Sequence, residues 1–545
     1  MAGSALAAPF KFGVMADTQW KANLDGENPE TVAVGIINQL NKQFIDQKVK
    51  FVIQVGDLVD KETDSPNLLP LNRTMDTRVA AAQALYDAGI CFFPLRGNHE
   101  GSALAAVEMP TLFPQTTGGG MNCGAGNFSS PDPYANGNLT GLTYKFDVDN
   151  ARFVLLDQFT RKDNTNYLNS SNNNIVDQLT WIDATLSEKP ADHHAFIFSH
   201  KNLMGANHVD MLFGATPASN PDAQNSYFSS LQKNGVRYNF GGHDHNHTRS
   251  IVRSPDGTSS SQNIITSSNS YKFYVPKVPP LDQLYNLATY GYRETPIVQE
   301  LYTVGYYIVT VDGPKVQVEH YASNNGCGGS LATGGVDCDL TATPDLNFEK
   351  REAFGYSLNG KSFLVAQGQP YTSVEDSFGG TVAKILGGIN GSSAMLYDGR
   401  ATTKEVNTGW TPKKHDDAKP DEKCHHAAHS CKSDTASDIL TLWGMADLGT
   451  EQSDTLALSV SYDPEKAAPQ HLGKGLFGLA TKDAAGNWIN AVEKNFGGTK
   501  VFVMGPWKAE YELGTYGVDP SSKTAWAVIN YAGDFAVARF MSAAE

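Results

Sequence analysis

Asp57, Asn98, His99, His200, His243 and His245 are of the side-chain types that can bind divalent metal ions or act beside them, and each follows an apolar run. The segments carrying them are GDLVD at 56–60, GNHE at 97–100, SH at 199–200 and GGHDH at 241–245, with ADTQ at 16–19 upstream. Mixed carboxylate, amide and imidazole donors suit a pair of borderline-hard ions sharing a water. Any one of these segments is commonplace. Asp57 and Asp60 alone could cap a helix, and a lone His at a strand end is usually a satisfied core or edge residue. Five in this order point jointly to metal chemistry.

The elements that must position them are legible too. KFGVMADTQ, KFVIQVGD, ICFFPLRGNH, HAFIFSH and VRYNFGGHDH read as strands running into Asp17, Asp57, Asn98–His99, His200 and His243–His245. Between the first two, Ala33, Ile36, Ile37, Leu40 and Phe44 recur at helical spacing. RVAAAQALYDAG reads as an alanine-rich helix stopped by Gly89. Strand–helix–strand alternation predicts largely parallel strands with helices on their faces. Ligands bind at the C-terminal edge of such sheets, so all five segments deliver polar groups to one edge.

The set resembles the calcineurin-like metallophosphoesterases, whose pattern is D-x-H, GD-x-x-D, GNH-[DE], a lone His after an apolar strand, and G-H-x-H. Here these stand as Asp17-Thr18-Gln19, Gly56 to Asp60, Gly97 to Glu100, His200, and Gly242 to His245. ARFVLLDQ (151–158) and QLTWIDATL (178–186) sit where the family places a strand and a helix. The likeness spans roughly residues 8–325 and implies an α/β fold, the αββα sandwich of that superfamily. It implies two divalent ions (Mn, Fe, Zn or Co), one held by Asp17, Gln19 and His245, the other by Asn98, His200 and His243, with Asp57 bridging. It further implies hydrolysis of phosphomonoesters or small phosphodiesters by a hydroxide bridging the ions, with His99 stabilising the transferring phosphoryl group and protonating the departing alkoxide.

Two positions depart from relatives. The first motif usually ends in His, and here it is Gln19, a neutral and weaker donor that could ligate a metal or stand behind the ligands. Position 60 is Asp, where purple acid phosphatases place a Tyr, so a coloured ferric site is not expected. His193, His194, His208 and His247 occupy no motif position and read as structural.

At 545 residues the chain exceeds one ordinary domain. A net charge of −16 opposes non-specific nucleic-acid binding, which relies on Lys and Arg; the small phosphorylated substrate is what the family resemblance implies. No apolar run approaches the ~20 residues that cross a bilayer. Ala5-Leu6-Ala7 fits a truncated export signal or an appended segment. Cys327 and Cys338, and likewise Cys424 and Cys431, bracket short loops that a disulfide could close. Cys91 reads as a buried free thiol and Cys123 has no evident partner. These features favour an extracellular or periplasmic protein. His425, His426 and His429, with His415 nearby, invite a zinc reading, but their spacing matches no familiar zinc pattern.

GYYIVTVDGPKVQVEHY (305–321) predicts a hairpin around Asp312-Gly313. The Gly/Asn/Pro-rich stretch 101–141 reads as a long irregular loop forming a pocket wall, with 272–301 on the other rim. From 350 to 545, short strand-like runs separated by Gly, Asp and Asn predict an all-β sandwich or barrel, with a polar insertion near 404–436. Trp507 and Tyr511 there suit core packing, or contact with a surface, glycan or protein. Two functions of different class follow: an exported metal-dependent phosphoesterase, or a silent phosphoesterase fold serving as a binding or structural module.

Overall fold

A computed structural model describes residues 8–20, 32–60, 74–133, 138–160, 172–270, 272–276, 293–324, 336–337, 345–391, 402–413, 435–445, 454–467 and 472–540. They fall into two compact units, one within 1–351 and one within 352–545. The bracketed cysteine pairs, the CHHAAHSC segment, His415 and the N-terminal Ala5-Leu6-Ala7 lie outside the described residues.

The first unit is built on two mixed sheets. One runs in the order Glu349–Ser357, Lys315–Asn324, Thr303–Asp312, Phe10–Met15, Phe51–Val55, Cys91–Leu95. The other runs Glu294–Glu300, His247–Arg253, Ser260–Ile265, Tyr238–Gly241, His194–Ser199, Ala151–Leu156, Tyr144–Val148, Gly126–Ser129. Parallel pairing is confined to the strands that carry the motifs and their immediate neighbours. The margins are antiparallel, because strands joined by tight turns cannot run side by side in the same direction. The hairpin Thr303–Asp312/Lys315–Asn324 turns on Gly313 and Pro314, one residue later than the sequence suggests, with Gly313 at φ +54°.

Side chains alternate across each strand, giving every central strand two buried faces. Phe12, Phe51, Phe93, Phe146, Phe153 and Phe196 meet between the sheets, with Phe93 and Phe146 stacked at 4.3 Å and Phe12 edge-on to Phe153 at 5.0 Å. On the opposite face of the first sheet, Met15, Val52 and Phe92 pack with Ile36, Ile37, Leu40 and Phe44 of the helix Val34–Asp46. On the outer face of the second, Val154, Ala195 and Ile197 pack with the helices Leu179–Ser187 and Pro221–Lys233. Each buried Phe contributes roughly 1.5–3 kcal/mol, so the aromatic layer is a major part of what holds the sheets together.

Two expectations are corrected in this unit. Cys91 is not a free thiol: it opens the strand Cys91–Leu95 and is disulfide-bonded to Cys123, Cα to Cα 5.9 Å. The stretch 101–141 returns the chain to that strand, and it is more ordered than its composition suggests. Within it are a helix Ala103–Leu112, capped by Ser102 accepting from the Ala105 amide, and a strand Gly126–Ser129.

The second unit is an all-β sandwich of two six-stranded sheets. One is ordered Ser362–Ala366, Thr403–Thr411, Ile439–Trp443, Gly533–Arg539, Phe477–Lys482, Trp488–Asn490. The other is ordered Glu375–Phe378, Thr381–Gly388, Leu456–Ser461, Thr524–Ile529, Thr515–Asp519, Val501–Met504. Val406, Trp410, Leu440 and Val537 from the first meet Ile385, Leu458, Val518 and Ala527 from the second in one core. Trp507 lies against Gly387, and Tyr511 stacks on Trp526 at 5.3 Å, so both aromatics pack. The expected polar insertion begins later than 404, since Thr403–Thr411 is a strand. Its inward positions include Lys404 and Thr408 beside Val406 and Trp410, which disguises the alternation; residues 414–434 lie outside the described set.

The Cys91–Cys123 bond closes a segment with a sequence separation of 32. Replacing both cysteines by Ser is expected to destabilise the first unit by about 2–4 kcal/mol. Chemical denaturation of the oxidised and substituted proteins should show this as a lower midpoint.

Candidate metal centre

Asp17, Asp57 and Asn98 follow three neighbouring strands of the first sheet, while His200 and His243–His245 follow two adjacent strands of the second. The backbone turns sharply at these strand ends. Asp17, Asp57, His243 and His245 all have left-handed φ, at 53°, 45°, 72° and 49°. Non-glycine residues rarely adopt that region, and such strain gathers at functional sites. The turned loops are tied together by Asp17 N donating to Gly56 O at 3.2 Å and Thr18 N to Asp57 O at 2.9 Å.

Close approach explains the motif glycines. A Cβ on Gly97 would lie 2.0 Å from Asp57 Oδ1, and one on Gly56 would lie 2.4 Å from His200 Nδ1. Gly56 also sits at φ +88°. The backbone must be bare there for the side chains to converge.

They converge on two overlapping groups. Asp57, His200 and His243 offer ligand atoms within 4.8 Å of one another, and so do Asp17, Asp57 and His245. Asp57 belongs to both. His200 Nε2 lies 3.3 Å from Asp57 Oδ1 and 2.9 Å from Asn98 Oδ1, which brings Asn98 into the first group. Gln19 joins the second: its terminal amide lies 3.0 Å from both Asp57 Oδ2 and His245 Nε2. The amide oxygen is buried without a hydrogen-bond partner. Amide O and N are interchangeable by rotation about the terminal bond, and the rotated form presents that oxygen to the same cluster. His243 Nε2 is likewise buried and without a hydrogen-bond partner. Orphaned lone pairs of this kind, beside carboxylates, fit divalent cations.

The imidazoles are held from behind, which frees Nε2 on each for the site. His200 Nδ1 lies 3.0 Å from Val55 O and His245 Nδ1 lies 3.1 Å from Lys272 O. His99 stands at the rim, its side chain 24% exposed, with Nε2 3.7 Å from Asp57 Oδ2. Its Nδ1 is hydrogen-bonded to Asp60 O, and its backbone N–H donates to Asp57 Oδ1 at 3.1 Å.

Electrostatically the cluster is in conflict. Burial, reinforced by Asp57, raises Asp17 well above the usual carboxylate range against the pull of His200. Burial also opposes ionisation of Asp57, but the fields of His200 and His99 outweigh it and hold that carboxyl low. Burial would lower His200, yet the adjacent Asp57 raises it to about 9. Burial and the neighbouring His208 bring His243 down to about 3, and burial holds His245 low as well. Neutral imidazole is the form that binds metals.

Several supporting residues escape a motif reading. Asp244, the filler of GHDH, accepts from the backbone amides of Ala206, Asn207 and His208 and from His208 Nδ1. It thereby stacks the His208 ring on His243, centroids 4.0 Å apart. Asp210 Oδ1 lies 3.7 Å from His243 Nε2, and Lys201 reaches its other oxygen at 2.5 Å. Buried Arg96 pairs with Asp157 at 2.5 Å and holds Ser102 O at 3.1 Å, bracing the GNHE loop. Glu100 accepts from Val59 N and Gly97 N, each at 2.9 Å, and burial raises it to about 7. Glu100 is the acidic end of GNHE and Asp244 the filler of GHDH, so both lie inside motifs, though the motif does not state what they hold; nothing local marks Asp210 or Asp157. His193, His194 and His247 stand elsewhere: His193 lies near Asp192, His194 Nε2 is 2.9 Å from Gly313 O, and His247 stacks on His320.

Comparison with curated proteins finds no match. Among solved structures the chain is similar to a dimetal phosphatase from Danio rerio, with 17% identity, TM-score 0.33, and coverage of 57% of this chain and 95% of that one. It is similar to purple acid phosphatase PPD1 from yellow lupin (Lupinus luteus) seeds, with 13% identity, TM-score 0.38, and coverage of 63% and 57%. It is also similar to GAP50, the anchor in the inner membrane complex of Plasmodium, with 13% identity, TM-score 0.32, and coverage of 63% and 90%. Residues 10–247 match the family model of the calcineurin-like phosphoesterases. That segment therefore belongs to the calcineurin-like phosphoesterases, a family of phosphoric ester hydrolases.

Proposed function

We propose that this chain is an exported, metal-dependent phosphoesterase acting on phosphomonoesters or small phosphodiesters. The observation that carries the reading is the sharing of one carboxylate, Asp57, by two ligand groups whose atoms already lie within coordinating reach of each other. Asp17, Gln19, Asp57 and His245 would hold one divalent cation; Asp57, Asn98, His200 and His243 would hold the other. The donor set suits Mn, Fe, Zn or Co. When bound, such ions supply Lewis acidity and lower the pKa of water.

The chain's own groups supply the rest. His99, at the rim and tethered through Nδ1 to Asp60, presents Nε2 toward the reacting phosphate and donates the proton that the leaving alkoxide needs. Asp60 is itself fixed by Lys272 Nζ at 2.7 Å. His208, stacked on His243, keeps that imidazole from rotating out of position. The net charge of −16 disfavours nucleic acid and leaves small phosphorylated molecules as substrates. Export is supported by the Cys91–Cys123 disulfide, since such bonds persist in oxidising compartments. Among the described residues no helix is long and apolar enough to cross a membrane.

Hydrolysis of a chromogenic aryl phosphate and of its bis-aryl diester, with and without Mn, tests the reading. Turnover that requires metal is expected, and its distribution between the two substrates sorts monoesterase from diesterase. No turnover of either substrate by the metal-loaded protein would leave only a silent binding module. His99→Ala is expected to lower kcat by about 10²–10⁴-fold with metal content unchanged, whereas Asp57→Asn should lose bound metal as measured by elemental analysis. Gln19→His restores an imidazole and is expected to raise the chelator concentration needed to strip the first ion; an unchanged stripping curve would place residue 19 outside the ligand set.

A further inference from the structure

The second unit buries a lysine whose surroundings invite chemistry of their own. Lys404 lies on the inward-facing side of the strand Thr403–Thr411, beside Val406 and cross-strand from Val365, both members of the sandwich core. Its Nζ meets Asp454 Oδ2, and the two side chains are only 9% and 3% exposed. Tyr371, fully buried, donates its hydroxyl to the same carboxylate oxygen at 2.6 Å, and Gly391 N approaches Oδ1 at 3.3 Å. The pair joins different sheets. Lys404 belongs to the sheet ordered from Ser362–Ala366, and Asp454 lies two residues before Leu456–Ser461 of the opposing one.

We infer that Lys404 and Asp454 condense into an intramolecular isopeptide bond that staples the two sheets of the sandwich. The reaction balances within the site. The Lys404 ammonium passes a proton to the Asp454 carboxylate, leaving a neutral amine and a carboxylic acid. The amine nitrogen attacks Cγ and forms the C–N bond. The C–OH bond breaks, and the hydroxyl leaves with an amine proton as water. Ammonium plus carboxylate thus become amide plus water, with no change of oxidation state and no co-reactant.

Each requirement has a residue. Burial pulls Lys404 down to about 7, so the nucleophilic free amine is accessible. The Tyr371 hydroxyl stands where negative charge develops on the carboxyl oxygen and stabilises it there. Two charges removed from water incur a desolvation cost of several kcal/mol per ion. Condensation removes both charges at once and leaves a neutral amide in the core. The same amide would hold the strands flanking the 414–434 stretch in register with the opposing sheet.

Mass spectrometry of the purified full-length protein, with all disulfides reduced and the chain denatured, tests this directly. The wild-type chain is expected to be lighter than its sequence by one water. Peptide mapping should place the deficit in a branched peptide in which Lys404 resists trypsin. Lys404→Arg and Asp454→Ala are expected to recover their full sequence masses. Asp454→Asn, which closes by losing ammonia instead, should converge on the wild-type mass. A reduced wild-type chain of full sequence mass, with Lys404 recovered at the end of a linear tryptic peptide, would overturn the inference and leave a buried ion pair.

Discussion

One carboxylate organises the first unit. Asp57 is reached by His200, by the Gln19 amide, by the His99 ring and by the backbone N–H of His99, so residues from distant parts of the chain are placed relative to it. It can do this only because its backbone is left-handed and because Gly97 leaves room for its oxygen. The strained conformation is stable because surrounding contacts over-determine it: Thr18 N binds its carbonyl, and the buried Glu100 carboxylate fixes the loop segments on either side through Val59 N and Gly97 N. Without the fields of His200 and His99, the same carboxylate would be a costly buried anion.

How much of this was legible in the sequence depends on whether a residue's work is local. The motif residues announce themselves because strand, turn and candidate ligand are contiguous, as in KFVIQVGD, where a strand buried on both faces runs straight into Asp57. The helix carrying Ile36, Ile37, Leu40 and Phe44 is legible for the same reason. Cys91 was not, because its partner lies across a stretch whose Gly and Asn content hides a helix and a strand. Lys404 misled the reading of its strand because a polar residue at an inward position breaks the apolar alternation. Only Asp454, distant in sequence, explains why it is tolerated. Asp210 and Asp157 were invisible for a further reason: each works through a partner brought near by the fold, and no local pattern encodes that proximity.

The candidate ligands come from two sheets, and neither sheet alone can assemble them. Asp17, Asp57 and Asn98 belong to strand ends of one; His200, His243 and His245 belong to strand ends of the other. Packed sheets lie roughly 10 Å apart, while the ligand atoms of each group lie within 4.8 Å. The strand ends must therefore bend toward the seam, and the spacing between the sheets must not drift. The bend is supplied by the left-handed turns. The spacing is set by the aromatic layer of Phe12, Phe51, Phe93, Phe146, Phe153 and Phe196, whose rings interlock edge-to-face and stacked across the gap. Close-packed interiors transmit a change of even one methylene, so shortening one of these rings would shift the separation on which both ligand groups depend. The core of the first unit thus bears on the candidate site: its phenylalanines set the distance at which the two halves of that site meet.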